Sequence, residues 1–448
     1  MAGMATPKYE FAITQLGEAR VPSPIHLSTR LGDFVANYVT DDQKVLYQVE
    51  ISDESELCVE EVLEKAGPRQ TIYFDPAEVH AGIVTCGGLC PGLNNVIRSL
   101  VMTLWHAYGV RRISGVRYGY QGLLSNGQIP VKDLSPEEVV DIHHQGGTVL
   151  GSSRGGGSAT AEIVDALETL GINMLFTIGG DGTQKGAIEI VREVQRRGHK
   201  FAIVGVPKTI DNDLSFVEKS FGFETAVSRA VDPVASAHTE AEGALDGIGI
   251  VKVMGRESGF IAAHTTLAIN DVNFVLVPEV PFDLEGENGL LAHLESRLDR
   301  RHHAVILVAE GAGQELLSST GTDASGNKNL GDVGVFLKER IASHFRSRGR
   351  PFSLKYIDPS YIIRSAPANP VDAIYCARLG SNAVHAAMSG RTGCLVGMVN
   401  NRLVHVPMSI AVSRRNRVDP ESPLWRDVVE ATGQPALMRN APQSADEG

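Results

Sequence analysis

The stretch from Met174 to Gly198, MLFTIGGDGTQKGAIEIVREVQRRG, constrains the fold more than any other part of the chain. Met174 to Ile178 is a short apolar run of the kind buried on both faces of a parallel sheet. Ile188, Val191 and Val194 then recur with helical spacing until Gly198 stops the pattern. Between strand and helix lies Gly179-Gly180-Asp181-Gly182-Thr183. Glycines there let backbone N–H groups approach a polyphosphate, and the helix N-terminus adds a favourable dipole. Asp181 would repel phosphate directly; its chemical use is to hold a Mg²⁺ that phosphates carry. A plain tight turn with a solvated Asp is the competing reading of these five residues.

The same unit recurs. Ala81 to Thr85 is strand-like, Cys86 to Asn94 is glycine-rich, and Leu93, Ile97, Val101 and Leu104 begin a helix that ends at Gly109. Further strands are predicted at 201–206, 247–253, 273–279, 304–310 and 394–400, most of them separated by helical patterns. The expected class is α/β with mainly parallel sheets. Residues 1 to about 76 differ in texture: a strand-like VLYQVEI from Val45, an acidic SDESELCVEEVLEK expected as a short helix, then QTIYFDP. They read as an extension that packs on the main body. From Pro435 the chain reads as a frayed tail.

With 448 residues, 43% of them hydrophobic, there is material for two domains. The net charge of −12 argues against nucleic-acid or membrane-surface partners. No stretch reaches membrane-spanning length and the N-terminus lacks a signal-peptide core, so a cytoplasmic location is expected. Five cysteines in a chain this long make no disulfide framework, and Cys86 and Cys90 lack a second pair for a metal.

Chemistry concentrates in loops at strand ends, where open α/β sheets bind ligands. Gly87 to Gly92 offers backbone donors but matches neither the dinucleotide fingerprint nor a Walker A loop. Gly146 to Gly155 carries Arg154, whose guanidinium can bridge phosphate oxygens. The sharpest loop is Pro207-Lys208-Thr209-Ile210-Asp211-Asn212-Asp213. Two carboxylates at that spacing in extended chain face one side, and like charges held close raise one pKa, which suits a general base. Downstream lie Met254-Gly255-Arg256, Glu310, Lys355, Tyr361 and Arg364, a set of types suited to a phosphorylated sugar.

In order, TCGGLCPGLN, GYQGL, GGTVLGSSR, TIGGDGT, VPKTIDND, VMGRESG and VAEG resemble the 6-phosphofructokinase family, over roughly residues 80 to 410. The resemblance implies two Rossmann-like domains with substrates in a cleft. The expected boundaries are an extension at 1–76, a phosphoryl-donor domain at 77–222 rejoined at about 357–400, a fructose 6-phosphate domain at 223–356, and a flexible tail at 435–448. It further implies that Gly88, Tyr120, Arg154, Gly155, Gly179, Gly180, Asp181, Gly182, Thr183 and Gly186 line the ATP site, with Asp181 on Mg²⁺. Asp211 would be the base toward the C1 hydroxyl, beside Thr209, Ile210 and Asp213. Met254, Gly255 and Arg256 would contact the sugar phosphate, Glu310 a sugar hydroxyl, and Lys355, Tyr361, Ile362, Ile363 and Arg364 the region of the 6-phosphate. Family members are usually homo-oligomers, so a homodimer or homotetramer is expected.

Three positions depart from the compact bacterial pattern. Lys208 is typical of the pyrophosphate-using branch and of a long ATP-using group in plants and protists. After Asp181, pyrophosphate users carry a second Asp; here Gly182 leaves room for the ATP α-phosphate, so ATP is the expected donor. Gly247 and Tyr361 stand where the bacterial enzymes have Arg and His, and no effector site is carried over. A pyrophosphate-dependent enzyme and a catalytically silent sugar-phosphate binder are the alternatives.

Overall fold

The computed structural model describes residues 9–50, 61–317, 321 and 329–441. The chain divides into two compact units. Unit 1 holds residues up to Thr209, Leu214–Gly222 and Ser365–Arg415; unit 2 holds Ile210–Asp213, Phe223–Arg364 and the residues from Asn416 onward.

In chain order, after two two-residue strands at Thr14–Gln15 and Val21–Pro22, unit 1 supplies strands β1 (Lys44–Leu46), β2 (Val62–Lys65), β3 (His80–Thr85) and helix α1 (Leu93–Met102). It continues with β4 (Arg112–Val116), α2 (Thr160–Leu170), β5 (Met174–Gly179), α3 (Asp181–Arg196) and β6 (Ala202–Pro207). Unit 2 then supplies α4 (Phe223–Glu242), β7 (Gly247–Val253), α5 (Phe260–Ile269), β8 (Phe274–Leu276) and α6 (Leu290–Arg301). It adds β9 (His303–Ala309), α7 (Val333–Ser347), β10 (Ser353–Ile357) and the short α8 (Ser360–Arg364). The chain returns to unit 1 with α9 (Pro370–Met388), β11 (Cys394–Val399) and β12 (Arg402–Pro407), and ends in unit 2 with α10 (Pro423–Thr432).

The unit 1 sheet has nine strands in the order β1-β2-β12-β11-β6-β5-β3-β4, with Lys132–Asp133 at the far edge. From β11 to β4 the pairing is parallel, and all six residues of β5 and of β6 are buried. That explains their continuous apolar runs: helices cover both faces, so no alternation is needed. The unit 2 sheet, β8-β9-β7-β10, is parallel throughout. Its core combines Ile248, Ile250, Ile306 and Val308 with Leu294, Leu298, Leu337 and Phe345 from α6 and α7.

The extension is where the sequence reading needs correcting. The strand expected from Val45 covers only Lys44–Leu46, and Ile51 lies outside the described residues. Of the expected acidic helix, residues 52–60 also lie outside them, while Val62–Lys65 is a strand and not a helix. Glu64 explains this. Its Oε1 accepts from Arg69 Nη2 at 2.7 Å, Arg391 Nε at 2.6 Å and His405 Nδ1 at 3.1 Å. A buried carboxylate with three donors outweighs the helical bias of an acidic stretch, because an uncompensated buried charge is costly. Through β1 and β2 the extension lengthens the main sheet, antiparallel to β12.

Of the tail expected to fray from Pro435, residues 435–441 pack on unit 2 instead, and residues 442–448 lie outside the described residues. Met438 is buried in the unit 2 core, its carbonyl accepts from the Asp283 amide at 2.8 Å, and the Asn440 amide donates to Asp283. One methionine inside a polar stretch carries too little periodicity to be read from sequence.

Candidate active site

Unit 1 presents three loops at the carboxyl ends of adjacent parallel strands. The Cys86 amide donates to the Ile178 carbonyl at 3.0 Å and the Gly87 amide to the Ser153 carbonyl at 2.9 Å. Ser152 Oγ closes the set by donating to the Gly87 carbonyl at 2.6 Å. The Lys208 amide donates to the Gly179 carbonyl at 3.1 Å, and its Nζ to the Gly88 carbonyl at 2.7 Å. The loop glycines answer to this crowding. At Gly87, φ is 88° and an added Cβ would sit 2.9 Å from Lys208 Nζ; at Gly179 it would sit 2.2 Å from Thr183 Oγ1. Gly182 is different: nothing lies within 4 Å of where its Cβ would be.

Gly180 precedes α3, and Asp181 is that helix's first residue. The Asp181 carboxylate is partly exposed and ion-pairs with Lys185 Nζ, one turn along, at 2.8 Å. Arg154 and Gly155 are exposed on the neighbouring loop. Gly186 permits a close helix–loop approach, since its Cβ would lie 3.2 Å from Gly157 Cα. Tyr120, expected to line the donor site, does not face solvent. It is 2% exposed and its hydroxyl donates to the Thr183 carbonyl at 3.0 Å, so it props the glycine turn from beneath. Thr209 is half-buried, and its carbonyl accepts from the Ser220 hydroxyl.

Unit 2 gathers a second cluster at the carboxyl ends of β7 and β9. The Glu310 amide donates to the Val253 carbonyl at 2.9 Å and the Gly311 amide to the Gly255 carbonyl at 3.0 Å, which stitches the two loops together. A Cβ on Gly311 would lie 2.0 Å from the Arg256 carbonyl, so only glycine fits there. Ser258 Oγ donates to the Asp211 carbonyl at 2.8 Å, and the Arg256 amide points at Asp211 Oδ2 at 3.5 Å. Glu310 and Arg364 approach to 3.8 Å. Burial first, then the charges of Asp213 and Glu310, push the Asp211 carboxyl up to about 7, against the opposing pull of Arg364 and the Arg256 amide. Asp211, Asp213, Arg256, Glu310 and Arg364, scattered over more than a hundred and fifty positions, therefore act on one another electrostatically.

Other expected members fall differently. Met254 and Ile363 are buried, so only backbone is available at the first and the second anchors α8. Tyr361 and Ile362 are exposed. Lys355 does not join the cluster. It pairs with Gly249 from the edge strand β10, and its Nζ reaches out to Glu240 at 3.9 Å. The alternation of a strand sends it to the side of α4, a placement that composition alone does not reveal. Ser152 and Ser258 were quoted within motifs but given no role; a small hydroxyl next to a glycine turn is the signal that would have singled them out.

The phosphofructokinase family model matches residues 80–387. A Borreliella burgdorferi protein named ATP-dependent 6-phosphofructokinase is 53% identical over 96% of this chain and 98% of its own length. The chain belongs to the phosphofructokinase family. An Amycolatopsis methanolica protein of the same name is 48% identical over 95% of both chains, and a Trypanosoma cruzi one is 49% identical over 82% of this chain and 76% of its own. Among solved structures, a pyrophosphate-dependent phosphofructokinase from Marinobacter aquaeolei superposes with a TM-score of 0.65 at 20% identity, covering 83% of this chain and 94% of that one. At that identity the likeness speaks for the fold, and the two Rossmann-like units are the family's architecture.

Proposed function

We propose that this chain transfers the γ-phosphoryl group of ATP to the C1 hydroxyl of fructose 6-phosphate, a glycolytic step that yields fructose 1,6-bisphosphate and ADP. The observation that carries the reading is the carboxyl of Asp211, held near the working pH among Asp213, Glu310, Arg256 and Arg364. A binding protein has no use for a base tuned in this way.

In this reading Asp211 takes the proton from the C1 hydroxyl as the new O–P bond forms and the bond to the ADP oxygen breaks. Thr209 and Asp213 flank the base, and Arg256 spreads the charge of the moving phosphoryl group. Glu310 accepts from a sugar hydroxyl, and Arg364 holds the 6-phosphate with its neighbours on α8. In unit 1, Gly88, Gly179, Gly180, Thr183 and Arg154 bind the donor, with Lys208 bracing the Gly88 loop. Asp181 fits a Mg²⁺ site: a partly exposed hard oxygen donor at a helix N-terminus, beside the open space at Gly182. The ion, when bound, neutralises charge on the donor phosphates. Tyr120 enters as a support of the turn, and Lys355 has no part.

A homodimer or homotetramer is the proposed assembly, which light scattering on eluting protein would measure. A cytoplasmic location is proposed too; among the described residues no helix is long and apolar enough to cross a membrane. The function is tested by phosphoryl transfer to fructose 6-phosphate with Mg-ATP against Mg-pyrophosphate at equal concentration. Activity with ATP alone is expected. Activity with pyrophosphate alone would place the weight on Lys208 and not Gly182, and activity with neither would leave a sugar-phosphate binder.

A further inference from the structure

Unit 2 contains a second cluster of chemistry at the amino ends of its strands, opposite the carboxyl ends that carry Glu310. His238 and Glu242 lie one turn apart near the end of α4, and His303 is the first residue of β9. One potential ligand atom from each lies within 4.8 Å of the others. Glu310 follows His303 by seven residues along an extended strand, which separates the two sites by about 20 Å. The cluster is therefore no part of the phosphoryl-transfer machinery.

We infer that His238, Glu242 and His303 form a binding site for a late first-row divalent metal ion, zinc in the first place. The geometry argues for it on three counts. His238 Nε2 and Glu242 Oε1 are 3.4 Å apart, and the edge of a tetrahedron with zinc–ligand bonds of about 2.0–2.1 Å is about 3.3 Å. His238 has its other nitrogen, Nδ1, 3.4 Å from Asp271 Oδ2, so a carboxylate stands behind the ring in the position that orients a ligating histidine. His303 likewise commits Nδ1 to the Arg301 carbonyl at 3.0 Å, which leaves Nε2 with the lone pair. The two rings lie 5.3 Å apart between centroids.

The site is built on a helix and a strand, so ordering it costs little. Two imidazoles and one carboxylate suit zinc better than magnesium or calcium, which prefer all-oxygen shells. Glu242 is more than half exposed and His238 partly so, which gives an ion a path in and leaves a fourth position to water. Bound there, the ion ties the end of α4 to the start of β9.

The test uses tag-free full-length protein, stripped with chelator, without nucleotide, and carrying Cys58→Ser so that this thiol cannot compete. Zinc is titrated against a chromophoric chelator, and cobalt is used as a spectroscopic probe. The expected result is one zinc per chain, weakened at least tenfold by His238→Asn, by His303→Asn and by Glu242→Gln, with Asp271→Asn weaker by about tenfold through loss of orientation. Cobalt should give the intense visible bands of a four-coordinate site, absent in His238→Asn. If His303→Asn disturbs the fold by circular dichroism, the helix variants decide. No stoichiometric uptake, or uptake unchanged by the His238 and Glu242 substitutions, overturns the site and leaves the cluster as an ion-pair network.

Discussion

The ammonium of Lys208 donates to the carbonyl of Gly88 at 2.7 Å, so the residue after strand β6 braces the loop after strand β3. Lys208 is 6% exposed, and the contact leaves no room for a side chain at Gly87. Replacing it by Met removes both the charge and the donor from a partly buried carbonyl. The expected cost is about 1–3 kcal/mol of stability in urea unfolding, together with a raised KM for ATP. An unchanged KM would separate Lys208 from the donor loop.

Asp211 sets the pH dependence. Its carboxyl is up at about 7 in the folded chain, so it keeps its proton between about pH 4 and 7 while the unfolded chain has lost it. Stability from this group therefore falls as pH rises through that window. Asp211→Asn, which cannot ionise, is expected to melt higher than the natural chain at pH 8 and level with it near pH 4. Under the proposed role of Asp211 as the base, activity has the opposite sign: kcat/KM should climb through pH 7, and Asp211→Asn should lose about 10²–10⁴-fold. A melting difference that does not vary with pH would contradict the raised pKa.

The parallel strands and the loops that follow them were legible because burial on both faces forces continuous apolar runs, and because tight strand-to-helix turns need glycine. Strand β7 falls at 247–253, where its pattern places it, and α3 starts at the Asp181 that ends the glycine pair. What escaped depends on pairing across long separations. Val62–Lys65 is a strand because Glu64 meets Arg391 and His405, more than three hundred residues away. Tyr120 is buried against the Thr183 carbonyl and Lys355 reaches toward Glu240, and orientation is not written in composition. The clustering of Asp211 with Glu310 and Arg364 came from family resemblance rather than from the residues themselves.

Gly182 tests the choice of donor without disturbing the fold. Since nothing lies within 4 Å of its Cβ direction, Gly182→Asp is expected to melt within a degree or two of the natural chain. The new carboxylate would stand beside Asp181 where the ATP α-phosphate is proposed to lie. Like charges so placed cost several kcal/mol, so kcat/KM for ATP should drop at least about a hundredfold. An undiminished value would show that the nucleotide does not pass over this position.

The last prediction concerns the buried ion network that fastens the extension to the main sheet. Glu64 Oε1 receives Arg69, Arg391 and His405, while Asp41 Oδ1 receives the same two guanidinium groups. Burial alone would push the Glu64 carboxyl up; the His405 hydrogen bond and the charges of His405, Arg391 and Arg69 overcome it and bring the group down to about 2. A carboxyl depressed in this way contributes stability above its ordinary value of 4.5, and that contribution is lost as pH falls toward 2. Glu64→Gln leaves two buried guanidinium groups with a single partly exposed counter-charge, so its cost at neutral pH should approach the ~3–5 kcal/mol of a broken buried pair. Unfolding measured at pH 7 and pH 3 distinguishes the causes. If the loss is electrostatic, the gap between Glu64→Gln and the natural chain narrows at pH 3. If it stays constant, packing and not charge is what Glu64 supplies.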